Sequence, residues 1–328
     1  MKTKIVFAVG LLIAAASLAH SAAMKAIVVH EFGGPEVLKY EDAPRPEPKE
    51  NEILVRVIAA GVNPVDTYVR SGNFGKPTLP LTPGFDIAGI VEEIGPGATK
   101  FKKGDAVYGN VHIGGYAEFA VAAEKDVALK PASLDFVQAA AVPVAARTAW
   151  NALIETAHLG PGQTVLIQGG SGGVGSFAIQ IAKLRGAKVY ATASTANQDL
   201  LKDLGADMAI DYTKQKFEDV VKDVDAVLEA AGKETLERDY PVVKKGGLLV
   251  SIVGPADPAK VQQYGIQAPS LARSGSALLE LTKLFDAKKL KVEVTETLPL
   301  NEAQKAQEQV GTHHTRGKIV LKVAEEKK

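Results

Sequence analysis

A glycine cluster near the middle of the chain restricts the possible folds more than any other feature. It follows a short apolar segment, 164–168, that predicts a strand, and it opens a periodic apolar segment, 174–185, that predicts a helix. In this context glycines let the backbone approach a pyrophosphate, and the helix N-terminus offers free N–H groups. The cluster therefore predicts a dinucleotide-binding loop, the alternative being a flexible loop without a ligand. Its residues match G-x-G-x-x-G and are Gly170, Ser171, Gly172, Gly173, Val174 and Gly175.

The segments after the cluster alternate between strand and helix patterns, which predicts a parallel, doubly wound sheet. These segments are 188–193, 199–204, 208–211, 226–231 and 248–253. The half before residue 142 differs, because short strands there are punctuated by Gly and Pro. Those strands are predicted at 53–57, 87–94, 106–108 and 116–121, and the chain closes with a helix over 276–288 and a strand over 318–323. We therefore expect an α/β protein in which a β-rich, barrel-like half precedes a doubly wound sheet.

The end of the second strand of that sheet indicates which dinucleotide is bound. Folds specific for NAD usually carry Asp or Glu there, bonded to the ribose 2′-hydroxyl. This chain has Ser194, Thr195 and Asn197 instead, and Tyr212 ends the third strand. The absence of a carboxylate favours NADP(H), although no Arg or Lys stands at that strand end and neutral donors would have to bind the 2′-phosphate.

Tyr212 and Lys216 also imitate the Tyr-x-x-x-Lys pair of a short-chain dehydrogenase. In that class the glycines open the chain and the pair follows much later. Here Tyr212 stands 37 residues after Gly175, and a β-rich half precedes the glycines. The short-chain interpretation is therefore rejected.

Charge and cysteine content exclude several classes of function. Lys and Arg together number 38, as do Asp and Glu, so the net charge is zero, whereas nucleic-acid binders usually show a basic excess. We therefore expect no nucleic-acid partner. The chain contains no cysteine, which excludes disulfides, thiolate zinc sites, iron–sulfur clusters and cysteine nucleophiles. Its 328 residues are enough for two domains.

The first 23 residues predict a secretory signal peptide. A short basic start precedes an uncharged apolar run over 5–16, and small residues at Ser21 and Ala23 permit cleavage before Met24, whereas Ala19 and Ser21 permit it two residues earlier. That run is shorter than the roughly 20 residues that span a membrane, and no later segment is long enough, so we expect no stable membrane anchor. This interpretation predicts an exported, periplasmic protein. The alternative is an upstream extension of a cytoplasmic protein whose true start is Met24.

Nine short segments in order along 24–328 carry a resemblance to a known family, and they include AGVNPVD over 60–66 and PGFDIAG over 83–89. Each is weak alone, but together they are specific. The chain resembles the quinone oxidoreductase group of the medium-chain dehydrogenase/reductases, the zinc-independent group that includes zeta-crystallin. The remaining segments are 24–27, 32–38, 68–72, 101–105, 140–143, 148–150 and 316–321.

The resemblance implies a GroES-like, β-rich catalytic domain interrupted by a Rossmann dinucleotide-binding domain, with the cofactor in the cleft between them. The implied bounds are 24–145 for the catalytic domain, 146–269 for the nucleotide-binding domain and 270–328 for the return to the catalytic domain, after a signal peptide over 1–23. We expect the chain to form a homodimer.

The resemblance also implies roles for single residues. Asn63 and Tyr68 line the substrate side of the nicotinamide as the candidate catalytic pair. Tyr68 is the candidate proton donor, with water as the alternative donor and a simple aromatic wall as the alternative role. Thr148 approaches the nicotinamide ribose or ring, and Lys318 reaches the cofactor or caps the last strand. The candidate cofactor-binding residues are therefore Thr148, Gly170, Ser171, Gly172, Gly173, Val174, Gly175, Ser194, Asn197, Tyr212 and Lys318.

We expect no metal site. Zinc alcohol dehydrogenases carry a cysteine at the position of Asn63 and Gly-His-Glu at the position of 84–86, which is Gly-Phe-Asp here. Catalytic zinc needs three protein ligands, and neither Asn63 nor Phe85 supplies one. The histidine pair at 313–314 is adjacent in sequence, so its side chains diverge, and His112 is interpreted as loop surface.

The implied reaction is hydride delivery from NADPH to a quinone or an α,β-unsaturated carbonyl. Conjugation in such acceptors delocalises the incoming negative charge, so the protein has to supply orientation and hydrogen bonds to the developing oxyanion. Asp66 is interpreted as an Asx-turn cap after Pro64 in preference to a catalytic group. The alternative function is a non-enzymatic NADPH-binding or structural protein, as some crystallin relatives are.

Overall fold

The computed structural model describes residues 23–75 and 77–326. The signal peptide predicted over 1–23 therefore lies outside the described residues except for Ala23, with which the first strand begins. Among the described residues, no helix combines the length and the apolar character that crossing a membrane requires.

The strands of the described chain are labelled β1 to β14 and the helices α1 to α10, both in chain order. The strands are Ala23–Val29, Leu38–Pro44, Glu52–Val62, Asp86–Ile94, Ala106–Asn110, Phe119–Ala123, Val127–Leu129, Thr164–Ile167, Lys188–Ala193, Met208–Asp211, Val224–Glu229, Val243–Ser251, Val294–Pro299 and Lys318–Lys322. The helices are Pro64–Arg70, Phe136–Ala140, Pro143–Trp150, Gly173–Leu184, Gln198–Asp203, Phe217–Val220, Lys233–Asp239, Pro258–Tyr264, Ala277–Asp286 and Ala303–Gly311.

A five-stranded parallel sheet has the order β10-β9-β8-β11-β12. Counted within the sheet, this is the doubly wound order 3-2-1-4-5: β9 and β10 are added on one side of β8, and β11 and β12 on the other side. Such a reversal leaves a crevice at the carboxyl ends of the two central strands, where ligands bind. The glycine loop follows β8 directly, so it lies at this crevice. The predicted doubly wound sheet is confirmed.

A second sheet of seven strands has the order β13-β14-β3-β4-β5-β7, and β6 also pairs with β3. The two paired strands that are farthest apart in sequence are β3 and β14, the last strand of the described chain. They pair antiparallel, with Ile319 opposite Val62. The end of the chain thus returns to the sheet formed by the first half. This mixed α/β architecture, with a GroES-like sheet and a Rossmann-type sheet, confirms the predicted fold class.

Several elements differ from the sequence prediction for local reasons. The alternation at 53–57 predicted a half-buried strand, but nearly all of β3 is buried because α2 packs on it as well. The strand predicted over 226–231 ends at Glu229, whose carboxylate accepts the N–H groups of Ala231 and Gly232 and turns the chain. The strand predicted over 116–121 begins only at Phe119, because the backbone of Tyr116 and Glu118 bonds Ile27 and Lys25 of β1 instead.

Candidate active site

The glycine loop joins β8 to α4 at the crevice of the parallel sheet. Gly172 is extended (φ −77°, ψ 177°) and is the N-cap of α4, so the first N–H groups of the helix have no partner within it. A Cβ at Gly172 would meet only the Gly169 carbonyl oxygen, at 3.4 Å, which leaves the outer side of the loop open. Open backbone N–H groups at a helix N-terminus fit the pyrophosphate of a dinucleotide.

The inner side of the same loop is closed by packing. A Cβ at Gly175 would lie 2.2 Å from the Gly169 carbonyl oxygen and 2.7 Å from the Cα of Gly170. A Cβ at Gly170 would lie 2.9 Å from Leu201 and 3.0 Å from Ala191. These two glycines are therefore needed for close helix–strand packing, whereas Gly172 serves the side that a ligand can approach.

Three candidate contacts for the 2′-phosphate lie together at the ends of β9 and β10. Asn197 Nδ2 donates a hydrogen bond to Ser194 Oγ at 3.2 Å. The Tyr212 N–H donates to the carbonyl oxygen of Ala193 at 3.3 Å, and the tyrosine side chain is 49% exposed. The structure therefore brings Ser194, Asn197 and Tyr212 onto one surface beside the crevice.

Thr195, the fourth neutral donor considered from sequence, is not available to a phosphate. Its hydroxyl donates to Asp211 Oδ2 at 2.6 Å, and the Thr213 hydroxyl donates to Asp211 Oδ1 at 2.6 Å. These hydrogen bonds lower the pKa of Asp211 to about 2. Lys214 Nζ lies 3.5 Å from Asp211 Oδ2. Sequence reasoning gave Asp211 no role, because the ribose-binding carboxylate of this fold is expected at the end of the second strand, whereas Asp211 ends the third.

A buried polar cluster surrounds Asn63 at the start of α1. The Lys318 ammonium donates to the Val62 carbonyl oxygen at 2.8 Å and also to Asn63 Oδ1. Asn63 Nδ2 donates to Asp86 Oδ2 at 2.9 Å, and the ammonium lies 3.8 Å from the same carboxylate oxygen. Asn63 is 2% exposed and Lys318 5%. Both ends of the Asn63 amide are thus held by protein groups of opposite charge.

Asp86 is bound from several elements. Its Oδ1 accepts from Asn110 Nδ2 at 2.6 Å and from the Val144 N–H at 3.0 Å. Arg147, in turn, donates to Asn110. Burial raises the pKa of Asp86 to about 6, although the nearby Lys318 ammonium lowers it. The buried Asp86 carboxyl group therefore links its own strand, β4, to β5 and α3 by hydrogen bonds and to β14 by the ion pair with Lys318.

Asp66 lies on the other side of Asn63. Its Oδ2 accepts the Asn63 N–H at 2.8 Å and the Tyr116 hydroxyl at 2.8 Å. Burial raises the pKa of Asp66 to about 7, opposed by these hydrogen bonds. Asp66 therefore has a capping role, as the sequence predicted, but the cap is a capping box with Asn63 at the N-cap of α1 and not an Asx turn after Pro64.

The end of the chain joins this cluster to the glycine loop. A Cβ at Gly173 would lie 2.9 Å from Lys318 Cδ, so the lysine stem lies directly against the first residue of α4. The Gly317 N–H donates to the Ser171 carbonyl oxygen at 2.8 Å. The candidate cofactor loop and the candidate catalytic Asn63 are therefore neighbours, although they belong to different sheets. In this structure the Lys318 ammonium bonds Val62 and Asn63. Direct binding of Lys318 to the cofactor stays a prediction.

The remaining candidates lie at the edges of this region or outside it. Tyr68 lies on α1 with 44% of its surface exposed, and its hydroxyl bonds no residue that the structure describes. Thr148 is partly buried on α3, which packs against α4. His112 is exposed in its loop, and the 313–314 pair is exposed after α10, as expected for surface residues.

A second buried network, which sequence reasoning missed, supports the glycine loop from below. Gln168 Nε2 donates to Asp239 Oδ1 at 2.7 Å and Gln168 Oε1 accepts the Thr192 hydroxyl at 2.7 Å. Thr192 Oγ1 accepts the Gly169 N–H at 3.2 Å. Burial raises the pKa of Asp239, and the adjacent carboxyl of Glu229 raises it further. One sequence feature could have revealed this network: a polar residue ends an apolar strand at Gln168 and again at Glu229.

No group of three or more His, Cys, Asp or Glu residues within 23–75 and 77–326 is arranged to hold a metal ion. The expectation of a metal-free site stays a prediction, which elemental analysis can test.

Two family models match the chain. The alcohol dehydrogenase GroES-like domain matches residues 49–132, and a zinc-binding dehydrogenase family matches residues 204–321. The NADPH-dependent alkenal/one oxidoreductase of Arabidopsis thaliana chloroplasts is 38% identical over 315 residues, which is 91% of this chain and 79% of that protein. The quinone oxidoreductase of Homo sapiens is 40% identical over 270 residues, which is 79% of this chain and 82% of that protein.

Solved structures show the same likeness across the whole fold. The quinone oxidoreductase from Coxiella burnetii superposes with a TM-score of 0.87 at 36% identity, over 92% of this chain and 100% of that chain. The Escherichia coli quinone oxidoreductase complexed with NADPH superposes with a TM-score of 0.84 at 32% identity, over 91% of this chain and 100% of that chain.

Proposed function

The chain belongs to the quinone oxidoreductase group of the medium-chain dehydrogenase/reductases, and on that premise we propose that it is an NADPH-dependent oxidoreductase acting on a quinone or an α,β-unsaturated carbonyl. The observation that carries the proposal is that Lys318 contacts both the glycine loop and Asn63, which supports a cofactor site beside Asn63. The relatives named as alkenal/one and quinone oxidoreductases, and the NADPH complex among the similar structures, support the same reaction class.

The residues of this chain bind and orient the two reactants. The open N–H groups at the start of α4 bind the pyrophosphate, and Ser194, Asn197 and Tyr212 bind the 2′-phosphate of the adenosine ribose. The bound cofactor supplies a hydride. Thr148, which belongs to α3 packed beside α4, would contact the nicotinamide ribose of a bound cofactor.

The substrate side has to stabilise negative charge and provide one proton. Hydride addition to the conjugated acceptor leaves an enolate or quinol oxygen, which is stabilised by a donor placed where the charge develops. Tyr68 is exposed enough to meet a ligand, and its hydroxyl donates this proton or positions a water that does so. Asn63 lines the same side, held in place by the buried cluster beneath it.

The reaction proceeds without zinc. Asn63 binds Lys318 and Asp86 rather than presenting a free ligand atom, and Phe85 has no metal-binding group. The conjugated acceptor does not require a Lewis acid, since delocalisation already lowers the cost of the developing charge.

The test is NADPH consumption by the purified protein with 9,10-phenanthrenequinone and, separately, with a 2-alkenal. We expect turnover with at least one of them. NADPH binding without turnover of either acceptor would favour the non-enzymatic, crystallin-like alternative.

We also propose that residues 1–23 direct export to the periplasm and that the mature chain is a homodimer. Sequencing the N-terminus after cell fractionation should find Met24 first in the periplasmic fraction, and an intact N-terminus inside the cell would contradict export. Light scattering of the purified protein should give twice the mass of one chain. An exported enzyme would also need a source of NADPH outside the cytoplasm.

A further inference from the structure

We propose that Lys318 is a positioning residue that fixes the orientation of the Asn63 amide and fastens the glycine loop to the substrate side of the cleft. The inference rests on the proposed function, because it concerns the same site. Lys318 is 5% exposed, and a buried lysine is rare unless its charge is compensated. Its partners come from residues about 250 positions earlier in the chain, so the contact exists only in the folded protein.

The ammonium gives the Asn63 amide one orientation. Asn63 Oδ1 accepts from Lys318, and Nδ2 donates to Asp86 at 2.9 Å. A flipped amide would turn its N–H groups toward the ammonium and its oxygen toward the carboxylate, so both strong hydrogen bonds would be lost. Asn63 is thereby held rigid at the position where the proposed function places substrate.

The lysine stem and its neighbour hold the glycine loop. Lys318 Cδ lies against Gly173, and the Gly317 N–H donates to the Ser171 carbonyl oxygen at 2.8 Å. Gly317 has φ +56°, and a Cβ there would lie 2.4 Å from the carbonyl oxygen of Glu293. The backbone that begins β14 is therefore fixed on one side by Glu293 and on the other by the loop, and it carries Lys318 at a fixed distance from both.

The two functions of the side chain can be separated by substitution. Lys318→Met keeps an apolar stem against Gly173 but removes the ammonium, which leaves Asn63 Oδ1 and the Val62 carbonyl without their donor. Lys318→Gln is the milder variant, because it keeps an uncharged N–H donor on a stem that is one bond shorter. Lys322→Met is the matched control, since Lys322 lies on the same strand with a side chain that is 44% exposed and pairs with Glu325.

The experiment measures kcat, NADPH affinity and additivity with Asn63→Ala. We expect kcat to fall about tenfold or more in Lys318→Met, by less in Lys318→Gln and not at all in Lys322→Met, while the NADPH Kd stays within about threefold in all of them. If Lys318 acts through Asn63, the Lys318→Met/Asn63→Ala double variant should be no slower than the slower single variant.

A second readout does not depend on turnover. In protein labelled with ¹⁵N-asparagine, the side-chain amide signal of Asn63 is the one that Asn63→Ala removes, and Lys318→Met should shift or broaden it. Wild-type kcat in Lys318→Met, a tenfold loss of NADPH affinity without loss of kcat, or additive losses in the double variant would each overturn the proposal. An unchanged Asn63 signal would overturn it too, whereas a wild type that reduces no acceptor would contradict the proposed function alone.

Discussion

Gly172 is the residue at which the backbone of the glycine loop is most open, since a Cβ there would meet a single atom at 3.4 Å. Gly172→Asp should therefore fold but lose NADPH binding, because its carboxylate would collide with the pyrophosphate and repel it. Fluorescence titration with NADPH measures the effect. Gly311→Asp is the control, because a Cβ at that helical glycine meets nothing within 4 Å. An affinity within about threefold of wild type, less than about 1 kcal/mol, would show that the phosphate binds elsewhere.

Ser194 is the residue that we expect to set the choice of cofactor. The wild type should prefer NADPH to NADH by about 10- to 100-fold in kcat/KM, or about 1.4–2.7 kcal/mol. The preference is moderate because the donors are neutral and charge-assisted bonds are roughly twice as strong. Ser194→Asp should reverse much of it by accepting the ribose 2′-hydroxyl and repelling the phosphate. Equal or better use of NADH by the wild type would refute this interpretation of the strand end.

Asp66 should make stability depend on pH. Burial raises its pKa from 3.8 to about 7 in the folded protein, so between those values the folded state keeps a proton that the unfolded chain has released. The stabilisation that Asp66 contributes therefore falls as pH rises from about 4 to about 7, by at most about 1.4 kcal/mol per pH unit.

Asp66→Asn does not titrate, and its amide oxygen can still accept from Asn63 and Tyr116. The free energy of unfolding of wild type relative to Asp66→Asn, measured in urea at several pH values across this range, should decrease with pH. Buried acids that do not interact with Asp66 are common to both proteins, so their titration cancels. Asp86, whose charge raises the pKa of Asp66, enters the difference only through that interaction. A pH-independent difference would mean that Asp66 is ionised throughout.

At the scale of the element, the position of α4 depends on close contact with the end of β8. A Cβ at Gly175 would lie 2.2 Å from a backbone oxygen and 2.7 Å from a Cα, neither of which can move aside. Gly175→Ala should therefore lower the free energy of unfolding by about 1–3 kcal/mol. Gly172→Ala, in the same loop, is the matched control and should change it by far less. Equal unfolding midpoints in urea would contradict this packing argument.

At the scale of the whole molecule, we predict that the folded chain binds no zinc, because the residues at the expected ligand positions, which come from different elements, offer no suitable ligand atoms. Asn63 lies at the start of α1 and Phe85 just before β4, and the neighbouring Lys318 comes from the last strand. Purified protein should contain no stoichiometric zinc, and a chelator should leave turnover unchanged. One tightly bound zinc per chain, lost together with activity, would contradict the zinc-independent mechanism.

The sequence by itself determined the elements whose signals are local. The glycine loop, the helix after it and the strands at 188–193 and 208–211 follow from patterns within a few residues, because hydrophobic period and turn chemistry act at short range. The cap on α1 is likewise local, since Asp66 and Asn63 are three residues apart.

Only the tertiary structure decided which distant side chains meet. The pairing of β14 with β3 brings Lys318 to Asn63, 255 residues away in sequence. The pairing of β10 with β9 lets the Thr195 hydroxyl donate a hydrogen bond to Asp211. Such contacts depend on strand order and register. The alternation within one strand indicates which of its side chains are buried, but it does not indicate which strand lies beside it. The sequence therefore indicated which residues are available for the site, and the sheet pairings decided how they are connected.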